Sequence, residues 1–193
     1  MRFNYGTEMA VQQGSLSSDA IRAWAGHWQL RQSLPVKSAV HLIGEYNYAA
    51  GDTDPADGMR GTFDQLYPTP HDKYGLANQV GWRNIEHLRL GGDLTPRKGW
   101  VVSSNYHSWW LAEAQDGLYS ASGAQVARVS SGATSTHVGQ EIDAQISHAF
   151  TPQLQIAGGL AHIFPGGFLK QATPGASYTY PFVMATYIFL ADK

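Results

Sequence analysis

The sequence predicts an all-β, antiparallel sheet of the transmembrane-barrel class, and three observations carry that prediction. Apolar and polar side chains alternate with a period of two along about eight segments, and no segment sustains a 3.6-residue apolar period. These segments run to about 12 residues, longer than the five or six usual in soluble sheets and long enough for a tilted bilayer crossing. The connections alternate between tight proline turns and long polar loops, as they do on the two rims of an outer-membrane barrel.

The segments, in order, are Arg2–Gln13, Ala20–Leu34, Lys37–Ala50, Trp82–Leu94, Gly99–Ala112, His137–Phe150, Gln153–Phe164 and Tyr178–Leu190. In Ala20–Leu34, Trp24, Trp28 and Leu30 oppose His27, Gln29 and Arg31. In Lys37–Ala50, Val40, Leu42, Gly44, Tyr46 and Tyr48 oppose His41, Glu45 and Asn47, with Ile43 the exception. In Trp82–Leu94, Leu88, Leu90 and Leu94 oppose His87, Arg89 and Asp93. In His137–Phe150, Ile142, Ala144, Ile146 and Phe150 oppose Glu141, Asp143, Gln145 and Ser147. In Gln153–Phe164, Leu154, Ile156 and Leu160 oppose glutamines and small residues. The last segment sets Val183, Ala185, Tyr187 and Phe189 on one face, suited to an aromatic girdle. Pro35, Pro96 and Pro152 mark the tight turns, because proline presets the turn and removes a ladder donor. Gly14–Asp19, Gly51–Gly81, Gln115–Thr136 and Pro165–Ser177 belong to the other rim, and Ala114–Ala127 is the best candidate for a short helix.

Composition agrees with one domain, 1–193. Charged residues make up 15%, against roughly 25% in soluble domains. The net charge of −2 gives no reason to expect nucleic acid. There is no cysteine, hence no disulfide and no thiolate metal site. No apolar run is long enough for a membrane helix. The mean hydropathy of −0.28 suits strands with one polar face. A soluble β-sandwich would show the same alternation, but strand length and loop asymmetry disfavour it.

Several stretches carry a resemblance. They are Gly44-Glu-Tyr-Asn-Tyr-Ala-Ala-Gly-Asp52, Asp57-Gly-Met-Arg-Gly-Thr-Phe-Asp-Gln-Leu-Tyr-Pro68, His71-Asp-Lys-Tyr-Gly-Leu-Ala77 and Gly81-Trp-Arg-Asn84. Tyr106-His-Ser-Trp-Trp110, His137-Val-Gly-Gln-Glu-Ile-Asp143 and Ala161-His-Ile-Phe-Pro-Gly166 add to them. From about Gly44 to Phe189, and more weakly over the first strands, the chain resembles the bacterial alginate-export family. The resemblance implies an outer-membrane barrel of about eighteen strands with a charged lumen. With about eight strands and no export leader in Met1–Glu8, the chain is expected to be the C-terminal portion of such a barrel. Its partners would be the outer-membrane bilayer, an anionic polysaccharide and the missing N-terminal strands.

The candidate substrate pathway comprises Arg22, Arg31, Arg83, Arg89, His41 and His87, with Glu45, Glu141 and Asp143 as counter-charges. A polyuronate carries one carboxylate per sugar, and guanidinium groups offer it bidentate contacts. The competing reading is of ordinary ion pairs that stiffen a barrel interior. Asp52, Asp54 and Asp57 are weak metal candidates, because their spacing misses the EF-hand pattern; an Asx-turn loop explains them better. His107 and Ser108 point to opposite faces and form no catalytic pair, so neither an enzyme nor a cofactor is expected. Trp109-Trp110 reads as part of an interfacial belt. Rival readings are a general porin for small anionic solutes and a soluble carbohydrate-binding β-domain.

Overall fold

The computed structural model describes residues 2–67 and 73–189. Pro68, His71, Asp72 and the predicted strand end at Leu190 lie outside them. Eight long strands form one antiparallel sheet in chain order: β1 (Arg2–Leu16), β2 (Asp19–Ser33), β3 (Ala39–Ala49), β5 (Ile85–Thr95), β6 (Trp100–Trp110), β9 (His137–Ala149), β10 (Leu154–Pro165) and β11 (Tyr178–Tyr187). A two-residue strand, β4 (Met59–Arg60), runs parallel to β2 at its start. The sheet is open, with β1 and β11 at its edges.

All the sequence-predicted strands exist, and the proline turns join β2 to β3, β5 to β6 and β9 to β10. The longer connections all emerge at the other end. The first of these is tighter than expected: Ser17 adopts a left-handed backbone (φ 55°) and the turn closes in two residues, Ser17 and Ser18. The helix expected over Ala114–Ala127 does not form. Gly117 and Gly123 (φ 83°) interrupt it, and the segment folds as a hairpin of β7 (Leu118–Tyr119) and β8 (Gln125–Ala127). The only helix among the described residues is α1 (Gly167–Ala172), which buries Phe168. β5 starts at Ile85 rather than Trp82, because Asn84 takes a left-handed backbone (φ 48°).

The two faces of the sheet differ in kind. One exposes Leu30, Leu42, Leu90, Ile142, Ile146, Ile156 and Leu160. Aromatic groups flank this aliphatic band at both ends. Towards the loops lie the stacked pair Trp24–Tyr48 (4.4 Å), Trp28–Tyr46 (5.9 Å), Trp110 and Phe164. Towards the turns lie Trp100, His148 and Phe150, with ring separations of 4.3 and 4.4 Å, and Tyr187. That pattern matches an acyl-chain layer between two headgroup layers. The opposite face carries the polar residues and, near the loop end, a core. There Ala25, Ala49, Ile85, Trp109 and Val138 meet Phe63, Tyr74, Val80, Trp82, Leu118 and Phe168 from the loops and helix. Trp109 is therefore not part of the belt. It is 2% exposed within this core, and only Trp110 faces outward.

Candidate functional site

Register places the polar residues side by side. Glu45 pairs with Arg89, Arg89 with His107 and His107 with Glu141 across β3, β5, β6 and β9. Because alternate residues share a face, Asn47, His87, Asn105 and Asp143 join them. Seven of these side chains close a hydrogen-bonded circuit. Arg89 Nε donates to Asn105 Oδ1 (2.9 Å), and Asn105 Nδ2 donates to Asp143 Oδ1 (2.8 Å). Asp143 Oδ2 lies 3.0 Å from His107 Nε2, and His107 Nδ1 lies 2.9 Å from His87 Nε2. His87 Nδ1 faces Asn47 Nδ2 (2.9 Å), which also donates to Glu45 Oε1 (2.7 Å). Glu45 Oε2 then returns to Arg89 Nη1 at 3.5 Å.

Donor accounting fixes the protons. The Asn47 amide nitrogen can only donate, so His87 Nδ1 accepts. His87 then carries its hydrogen on Nε2 and donates to His107 Nδ1, and His107 donates from Nε2 to Asp143. Both rings are fully buried. Gly91 gives the Asn105 side chain room, since a Cβ there would collide with its amide.

A loop segment seals part of this face. Tyr74 packs edge-on against His87 (5.4 Å), and the Ala77 N–H donates to Glu141 Oε1 (3.4 Å). Gly75 adopts φ 112° directly over the Glu141 carboxylate, where any side chain would collide. Leu76 and Ala77 continue onto Ala161 and Ile163 of β10.

The predicted pathway residues thus separate by accessibility. Glu45, His87, Glu141 and Asp143 are at most 4% exposed and sit beneath the loop or within the circuit. Arg31 (39%) and His41 (25%) remain reachable towards the turn end, both bonded to Asp93 at 2.8 and 2.7 Å, and Arg89 is 12% exposed. Two expected positions are corrected. Arg22 is an even number of residues from Trp24 and lies on that outward face, exposed. Arg83 precedes β5 and sits in the loops, paired with Asp64 (2.9 Å) and stacked over Tyr119 (4.5 Å).

Asp52, Asp54 and Asp57 each accept a backbone N–H two residues ahead, at 3.2, 3.0 and 2.7 Å, so they build Asx turns. Among the described residues no three His, Cys, Asp or Glu side chains converge as a metal site. Sequence reasoning missed Asp116, which organises the loops. Its Oδ2 accepts from Thr62 Oγ1 (2.5 Å) and Asp52 N (3.0 Å), and its Oδ1 from Tyr119 Oη (2.7 Å) and Gly117 N (2.6 Å). Burial raises the Asp52 and Glu113 carboxyls above their ordinary range, and the Asp116 charge pushes the same way. Tyr119 is pushed up to about 12 by burial and by Asp116.

No curated protein shows significant similarity to this chain. A family model described as alginate export matches residues 1–183, which takes in the first strands as well as the later motifs. With nearly the whole sequence matched, and with an all-β antiparallel sheet whose two faces divide as a barrel wall requires, the chain belongs to the alginate export family.

Proposed function

We propose that this chain forms part of an outer-membrane channel that passes an anionic polysaccharide such as alginate. The observation that supports this most is the division of the sheet: a two-belted apolar face backs onto a polar face with accessible Arg31 and His41 and, at the edge of the buried circuit, the slightly exposed Arg89. On this reading the loops face outward and the proline turns face the periplasm. The buried circuit holds the wall rigid, and Arg31, His41 and Arg89 meet the polymer. The acids Glu45, Glu141 and Asp143 lie deepest, so the cations are what a passing carboxylate encounters. Within the bilayer β1 and β11 need partners, because an open sheet edge is not tolerated there. Further strands supply them.

In planar bilayers, Arg31→Ala and Arg89→Ala should each weaken block by uronate oligomers about fivefold, the equivalent of ~1 kcal/mol for one partly screened contact. Small-ion conductance should change less, since a polymer meets several fixed charges at once. Unchanged block in both variants would remove these arginines from the pathway. A second reading, passage of small solutes without polymer preference, draws on the charge count. Across β2 to β9 the polar face sets two arginines, Arg31 and Arg89, against five carboxylates, Asp19, Glu45, Asp93, Glu141 and Asp143. Equal block by monomers and oligomers would favour it.

A further inference from the structure

Three loops converge at the loop end around a cavity of about 210 Å³ that the pathway does not use. It is lined by Asp19, Asp52, Met59, Arg60, Arg83, Asp116 and Arg128, among others. Its acids are largely committed. Asp19 pairs with Arg60 (3.0 Å), and Asp116 accepts four hydrogen bonds. Of its three arginines, Arg60 is thereby committed too, whereas Arg128 and Arg83 are committed only in part. Arg128 spends Nε and Nη2 on a neutral acceptor, the Gln115 carbonyl (3.2 and 3.0 Å), and has no carboxylate partner among the described residues. Arg83 uses Nη1 on Asp64, and its buried Nε has no hydrogen-bond partner. Two guanidinium groups therefore keep donors uncommitted around one cavity, with Pro55 and Met59 supplying an apolar patch. Planar donor forks suit a carboxylate, and an apolar patch beside polar groups suits the C–H face of a sugar ring.

We propose that this cavity is a binding site for a single acidic sugar residue, held through its carboxylate by Arg83 and Arg128. The site lies apart from the pathway arginines, and its physiological use as a rim station for the exported polymer rests on the channel reading above.

The test is saturation-transfer NMR on the detergent-solubilised full chain, with D-glucuronate, D-glucose and inorganic phosphate as probes. Glucuronate should bind, and glucose should bind at least tenfold more weakly. Arg128→Gln should weaken glucuronate about tenfold, a loss of ~1.4 kcal/mol. Arg83→Gln should do the same, and Lys98→Gln, in a proline turn at the opposite end of the sheet, should leave binding unchanged. Circular dichroism of each variant confirms folding, and Arg128→Lys, which keeps the charge but loses the fork, should recover only part of the affinity. Equal binding of glucose, tight binding unaffected by Arg128→Gln, or loss only in Lys98→Gln would each overturn the site. Phosphate competing as well as glucuronate would make it a general anion site and overturn the sugar assignment. Conductance separates the two readings. Arg128-dependent binding in a protein that forms no channel would sink the channel and keep the site, and normal uronate block with no Arg128 dependence would do the reverse.

Discussion

At the scale of single residues, the fold depends on a few buried polar groups whose partners come from distant segments. Asn84 is fully buried; its amide donates to the carbonyls of Glu113 (3.1 Å) and Gly117 (2.9 Å), and its Oδ1 accepts from the Glu113 N–H (2.8 Å). Asn84→Ala removes all three bonds at a left-handed position, and should destabilise the loop end by roughly 3 kcal/mol. Hydrogen exchange should then rise around residues 113–117 while the strand amides stay protected. Asp143 is a harsher case, because its loss leaves His107 and Asn105 without their acceptor. Asp143→Leu should cost about 3–5 kcal/mol in urea unfolding from liposomes, and Asp143→Asn, which keeps an acceptor, should cost less. The loop carboxyls Asp52 and Glu113 have raised pKa values, so the folded loops bind their protons more tightly than the unfolded chain does. Their contribution is fully present below the ordinary carboxyl range and is lost as pH rises through the raised values. Proteolysis within residues 111–136 should therefore be slower near pH 4 than at pH 7, and the opposite order would contradict this account.

At the scale of elements, the strands obey one rule: the odd-numbered residues of β2, β3, β5, β6 and β10, and of β9 from Gly139 onward, face the polar side, and the even-numbered ones face outward; a bulge opposite Trp109 and Trp110 breaks the rule at the start of β9, where Val138 enters the core. A single-residue slip would invert every one of them. Arginine at Ile142, in the middle of the aliphatic band, should cost roughly 2–4 kcal/mol of membrane stability. The same substitution at outward Phe164, in the loop-end belt, should cost far less, because that depth is hydrated. Equal costs at the two positions would show that the band is not embedded. The short β7–β8 hairpin and α1 follow different logic. They are too small to stand alone and persist because Leu118, Ala127 and Phe168 are buried in the loop-end core.

At the scale of the whole molecule, the sheet is a wall with a plug. Residues 73–82 lie over the polar face and the elaborated loops gather at one end, leaving the turn end of that face open around Arg31, His41 and Asp93. Cysteine placed at Ser122, in the β7–β8 turn, should react with an impermeant label on intact cells, and cysteine at Lys98, in a proline turn, should not. The reverse labelling pattern would invert the orientation.

The sequence by itself determined the eight long strands, their facing and the position of the proline turns. Those features follow from period-two patterning and from proline's missing donor, which are local properties of the chain. It also carried the family, through motifs such as Gly81-Trp-Arg-Asn84 and His137-Val-Gly-Gln-Glu-Ile-Asp143. Only the tertiary structure decided what those motif residues do. Asn84 starts no strand but binds two loops together, and Glu141 faces inward yet is sealed beneath Gly75 and Ala77. The misplacement of Arg22 was legible, since its parity with Trp24 puts it outward; that of Arg83 was not, because a strand pattern gives no sign of a left-handed break at Asn84. Asp116 and the cavity beside it were invisible for the same reason. Each depends on loops more than 50 residues apart meeting at one rim, and such long-range contacts leave no period in the sequence.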